Sequence, residues 1–237
     1  MKKSIISIVV FISFFLLFIS FINKYMSIKL WDYDFWWHIA TGRYIVETKT
    51  IPDKDPFSFV NNLEENKNIN PAREKVVLKS YWLSQVLFYK IYDVFNDKGM
   101  IILRSLILFS TVFLIFCWFR RNKVSFYIIY PLVFIVFCQT MRHAGERPVL
   151  FTILFSVLIF FILDDFKQRK SKLLFLLIPL MLLWANMHGG FILGIIFILA
   201  FIAGETLNYF IFKKVGVGKK ALMTLMIVGI IAIAISA

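Results

Sequence analysis

Four aspartates, a histidine and an arginine share one tryptophan-rich stretch, residues 31–59, lying between two long apolar runs. Asp32 and Asp34 open it, His38 follows Asp34 by one helical turn, and Asp53 and Asp55 flank Lys54 between Pro52 and Pro56. A carboxylate at a membrane edge is costly to desolvate unless something pairs with it, so a concentration of them there points to use. Two kinds of chemistry are open to the set. A carboxylate could act as general base on a hydroxyl, or carboxylate oxygens could hold Mg or Mn beside a phosphate. At helical spacing from Asp34, His38 could join such an ion or donate to a phosphate. The plainer alternatives are a solvated Asp32, an Asp34 that caps a helix, a hydrogen-bonded interfacial His38, and a charged turn at Asp53 and Asp55.

Two further polar clusters interrupt apolar sequence. Arg142, His143, Glu146 and Arg147 form one, and Asn186, His188, Gly189 and Gly190 the other. Arginine suits forked phosphate contacts, which makes Arg147 a candidate phosphate ligand, with a snorkelling flank as the alternative. Gly189-Gly190 permits close backbone approach or a simple reverse turn. Arg104 lies about one turn inside an apolar run and is expected to snorkel outward, and Glu205 reads as structural. The sequence has no Walker loop, dinucleotide fingerprint, HExxH or paired CxxC, which argues against nucleotide-driven chemistry on this chain. A transfer reaction outside the cytoplasm would need a lipid-borne activated donor.

The elements that must position these groups are membrane helices. Hydrophobic residues make up 60% of the chain and phenylalanine occupies 28 of 237 positions, more apolar surface than a soluble domain of this size could hide. At about 20 residues per span, the runs 4–22, 100–119, 124–141, 149–163, 173–187, 191–212 and 221–237 predict an all-α polytopic fold of about seven transmembrane helices. The first is a signal anchor with bulky residues to its end. Pro179 is expected to kink the fifth. The net charge of +13 comes from Lys and Arg in short stretches between apolar runs, a topogenic pattern that does not suggest nucleic acid. That pattern places Lys2, Lys3, 120–123, 167–172, 213–214 and 219–220 in the cytoplasm, with the N-terminus. Cys117 and Cys138 lie inside apolar runs and read as small core residues.

The region 23–99 is then a long external first loop on a single transmembrane domain, 1–237. It is expected to hold two interfacial helices, 35–48 with Asp34 as N-cap, and 81–95. On the first, Asp34, His38, Thr41 and Ile45 share a face. Residues 51–59 form a proline-set turn and 61–75 a mobile tip. The last apolar run ends at Ala237 without a polar flank, so we expect the N-terminal part of a longer protein.

In chain order the motifs are D-x-D-x-W-W-H-x-A-T-G-R at 32–43, I-P-x-x-D-P-F-S-F at 51–59, W-L-x-Q at 82–85, R-P at 147–148 and W-A-N-x-H-G-G at 184–190. From residue 31 to about 194 the chain resembles the bacterial multi-span GT-C-type glycosyltransferases. That superfamily includes protein mannosyltransferases, lipid A sugar transferases and the catalytic subunit of oligosaccharyltransferase. The resemblance implies an enzyme of the bacterial cytoplasmic membrane that moves a sugar from a polyprenyl-phosphate-linked donor to an extracytoplasmic lipid or glycan acceptor. It also implies an essential acidic residue in the first external loop, with Asp34 the first choice, Asp32 the second, and Asp55 as a second acidic group. Asp34, His38 and Asp55 would be the ligands if a divalent Mg or Mn is used, and Arg147 and His188 would meet the substrate phosphate. Family members are longer, so a chain of this length would lack part of the donor and acceptor sites. The competing readings are a transporter or flippase subunit for a lipid-linked substrate, and a noncatalytic assembly protein. A transporter calls for ionisable groups deep inside several spans.

Overall fold

The computed structural model describes Ile12, Leu16, Ile19 and residues 29–30, 32–54, 56–57, 71–143, 145–211 and 217–236; at 71–78, 137 and 139–143 the description is of the backbone. Helix α1 (Asp34–Thr48) buries Phe35, His38, Thr41, Gly42 and Ile45, which takes in three residues of the face that the spacing predicts, His38, Thr41 and Ile45, while Asp34 is exposed. It ends where Lys49 turns left-handed, φ 60°, and returns its N–H to the Ile45 carbonyl at 2.9 Å. Its start differs from expectation. Asp34 is the first helical residue, and Asp32 does the capping: its Oδ1 accepts the Asp34 N–H at 3.0 Å and its carbonyl accepts the Phe35 N–H at 3.2 Å.

Helix α2 (Pro71–Arg121) is two arms joined at Asn96, whose φ of 51° and ψ of −149° break the helix. Asparagine tolerates positive φ better than most residues. The break falls between the expected interfacial helix 81–95 and the expected span 100–119. Pro71 suits a first helical position because its missing N–H would have had no partner there. The segment 71–75, expected to be part of a mobile tip, is therefore helical, and 61–70 lies outside the described residues.

The remaining helices are α3 (Phe126–His143), α4 (Val149–Arg169), α5 (Leu177–Met187), α6 (Phe191–Phe210) and α7 (Lys219–Ser236), with a 3-10 turn at Lys172–Leu176 leading into α5. Among the described residues four segments are long and apolar enough to cross a membrane: Lys79–Arg121, Val149–Arg169, Phe191–Phe210 and Lys219–Ser236. Phe126–Val136 and Lys172–Met187 are shorter apolar helices, and the expected first span, 4–22, falls almost wholly outside the described residues. α4 continues past the expected end at 163 because its two aspartates find partners. Asp164 accepts from Trp118 Nε1 at 3.0 Å, and Asp165 pairs with Arg121 at 2.6 Å. Pro179 lies in the first α-helical turn of α5, just past the point where the helical segment Lys172–Met187 changes from 3-10 to α geometry.

A line of aromatic rings ties the layers together beneath the polar end. Phe88 of α2 meets Phe151 of α4 at 6.0 Å between centroids, Phe151 meets Phe155 at 6.0 Å, and Phe155 meets Trp184 of α5 at 5.8 Å. Phe35, Phe88 and Trp184 are completely buried. α1 rides on the first arm of α2, where a Cβ at Gly42 would overlap the Gln85 carbonyl. Only glycine permits that crossing without a backbone shift. At the other end of the bundle Glu205 pairs with Lys167 at 2.8 Å and accepts the Val217 N–H at 3.3 Å, a structural role tying α4, α6 and the turn before α7 together.

Candidate functional site

The turn between α3 and α4 directs two neighbouring side chains to opposite places. The Arg147 N–H closes on the Gly145 carbonyl at 2.8 Å, and Pro148 leads into α4. Glu146 points inward and forms an ion pair with Arg104, both side chains being at most 1% exposed. This corrects the expectation for Arg104: it does not snorkel outward, because a carboxylate meets it inside the fold. Arg147 points the other way. Its Nε lies 2.5 Å from Asp32 Oδ2 and its Nη2 lies 3.0 Å from Asp34 Oδ2.

One guanidinium thus bridges the two candidate carboxylates. They differ in burial: the Asp32 side chain is 4% exposed, that of Asp34 58%, and that of Arg147 45%. Asp32 is therefore not the solvated residue of the plain reading. It is buried against Gly145, where a Cβ would overlap its carboxylate. Burial of a carboxylate is tolerated when charge and hydrogen bonds compensate it, and here Arg147 and the Asp34 N–H both do so. In return, the hydrogen bond to Asp32 raises the Arg147 guanidinium above its ordinary value.

Behind this rim lie two neutral histidines. His38 is buried on α1, with Nδ1 3.4 Å from Gln85 Nε2. Burial pushes its pKa down to about 4, with Arg147 and His188 adding to the effect and Asp32 opposing it. His188 follows α5; its Nδ1 accepts the Gly190 N–H at 2.9 Å and lies 2.6 Å from Thr152 Oγ1, which in turn accepts from Trp184 Nε1 at 2.9 Å. With Nδ1 occupied as acceptor, the ring proton belongs on Nε2. Burial also pushes His188 down to about 4. Tyr81 stands between the two rings, 6.0 Å from His38 and 5.1 Å from His188 between centroids. Trp82 donates to Asn186 Oδ1 at 2.7 Å across 104 residues of chain, fixing α2 to the end of α5.

Asp32, Asp34, His38, Arg147 and His188 are therefore drawn to one end of the molecule by α1, α2, the α3–α4 turn and the α5–α6 turn. Asp55 and the side chains of Arg142 and His143 lie outside the described residues. Among the described residues no group of three or more His, Cys, Asp or Glu is placed to share a metal ion. Arg147 occupies the position between Asp32 and Asp34 that a bridging cation would take, so an ion bound by both would have to displace it. Gly145, Tyr81 and Thr152 escaped the sequence reading. A glycine and a hydroxyl at the edge of apolar runs carry no periodic signal, whereas Tyr81 immediately precedes W-L-x-Q and was within reach.

No family model, curated protein or solved structure matches the chain. The likeness to GT-C enzymes rests on its own motifs.

The histidines give a pH prediction. Between about 4 and the ordinary 6.5 the unfolded chain binds more protons than the folded one, so stability increases with pH across that window. It is fully present above 6.5 and lost as pH falls towards 4. His38 alone accounts for about 3 kcal/mol at most. Thermal melting in detergent should fall steadily through this window, and His38→Asn should flatten the slope. A melting temperature that does not change over the window contradicts the buried neutral histidines.

Proposed function

We propose that the chain is a membrane glycosyltransferase of GT-C type that moves a sugar from a polyprenyl-phosphate carrier to an extracytoplasmic acceptor. The single observation that carries this reading is the Asp32–Arg147–Asp34 bridge, a half-exposed cation between two carboxylates of different burial. In this reaction the acceptor hydroxyl attacks the anomeric carbon, and the bond from that carbon to the phosphate oxygen breaks. The hydroxyl proton passes to a carboxylate and the polyprenyl phosphate leaves. Asp34, the exposed carboxylate, serves as base. Asp32 holds Arg147 in place. Arg147 meets the charge that develops on the leaving phosphate, as a fixed donor does in other transfer sites. The sugar carbon passes through an oxocarbenium-like state. His188, neutral with its proton on Nε2, adds a donor near the same end. A divalent ion held by Asp34, His38 and Asp55 would supply further charge neutralisation.

The charge distribution favours an enzyme over a transporter. Arg104 is buried but paired with Glu146 near this same end, and the stretches 105–119, 149–163 and 191–204 contain no charged residue. The test is transfer of labelled sugar from defined polyprenyl-phosphate donors by the complete gene product in proteoliposomes, with and without chelator. Asp34→Asn should reduce transfer by at least about 100-fold and leave membrane insertion and melting intact. Full activity in Asp34→Asn removes it as base.

A further inference from the structure

A cavity of about 470 Å³ lies at the far end of α4, roughly 30 Å of helix away from Arg147. Its wall carries Lys170 and Lys172 after α4 and Lys219 and Lys220 at the start of α7, over a floor that includes buried Phe166 and Leu174. Among the described residues no Asp or Glu lines it. The nearby Glu205 is already paired with Lys167 and with the Val217 N–H, so it holds the wall in place; of the cavity's lysines it bears on Lys170, whose Nζ also donates to the Lys167 carbonyl at 3.1 Å. Burial holds the Lys170 ammonium below its ordinary value, and Lys167 adds to this although Glu205 opposes it. The cavity also takes in the N-terminus of α7, an 18-residue helix whose first free N–H groups favour an anion. Phe175, which also lines the cavity, is exposed and carries its apolar floor to the surface.

We infer that this cavity binds the headgroup of an anionic phospholipid from the leaflet around it, with the lysines on its phosphate and the acyl chains along the apolar rim. A cationic pocket between helices, with an apolar exit, fits a lipid better than a soluble anion, which has no use for the floor. The inference is independent of sugar transfer at the other end.

Native mass spectrometry of the delipidated full chain, titrated with phosphatidylglycerol or with phosphatidylcholine, tests it. Phosphatidylglycerol should be retained selectively, and high salt should weaken its binding. Lys172→Gln, Lys219→Gln and Lys220→Gln should each weaken it about fivefold, and arginine at the same positions should restore it. The arginine variants and the salt series keep the test decisive if a glutamine variant fails to insert. Equal retention of the two lipids, or salt-insensitive binding, overturns the inference. Inorganic phosphate that competes at equal concentration also overturns it, in favour of a soluble anion.

Discussion

Arg147→Ala is expected to lower sugar transfer by about 100- to 1,000-fold, the usual cost of removing a fixed donor from a developing negative charge. Arg147 has two partners in the resting chain, Asp32 and Asp34. Substrate phosphate would take over the contact to exposed Asp34, while the contact to buried Asp32 persists and keeps the guanidinium oriented. The loss should therefore appear in kcat and in donor KM together. Arg147→Lys retains the charge but loses the fork, so it should recover only part of the rate. Removing Arg147 also leaves Asp32 buried and unpaired, and some stability will go with it. The double variant Asp32→Asn with Arg147→Ala separates the two effects. It should melt closer to wild type while remaining inactive. Initial rates measured beside melting curves decide the matter, and wild-type rates in Arg147→Ala contradict the assignment.

Breaking the Arg104–Glu146 pair should give the largest loss of stability. Both side chains are sealed from solvent. Removing one partner leaves the other buried and charged, which costs about 3–5 kcal/mol. Arg104→Met or Glu146→Gln alone should lower the melting temperature in detergent sharply. Arg104→Met combined with Glu146→Leu should recover much of it, since an apolar pair of similar volume is often as stable as a buried ion pair. Glu146 is the residue before Arg147, so its loss should also loosen the turn that aims the guanidinium at Asp32. Single variants that melt like wild type would show that the pair is not buried as described.

The helical periods were legible in the sequence and the partners were not. The 34, 38, 41, 45 spacing put four residues on one face of α1, of which His38, Thr41 and Ile45 are buried and Asp34 is exposed, and the change from amphipathic to wholly apolar sequence separated the two arms that α2 joins at Asn96. These features are local, set by side-chain direction and backbone preference. Which carboxylate is buried is not local. Asp32 and Asp34 look alike in sequence, and the α3–α4 turn, packed through Gly145, buries Asp32 and leaves Asp34 in solvent. Arg104 was misread for the same reason. A cation near the end of an apolar run snorkels by default, and only the fold brings Glu146 to meet it. The apolar run stops at 163, and α4 extends beyond it over Asp164 and Asp165, whose partners Trp118 and Arg121 come from another helix.

Sugar transfer from a polyprenyl carrier requires the bridge of Asp32, Arg147 and Asp34 to face the outside of the cell. Tyr33, between the two aspartates, is 93% exposed. A Tyr33→Cys chain can be treated in intact cells with a membrane-impermeant maleimide, using the parent chain to report any labelling of Cys117 and Cys138. The account predicts labelling at position 33 from outside. Labelling only in inverted vesicles would place the bridge in the cytoplasm and contradict it.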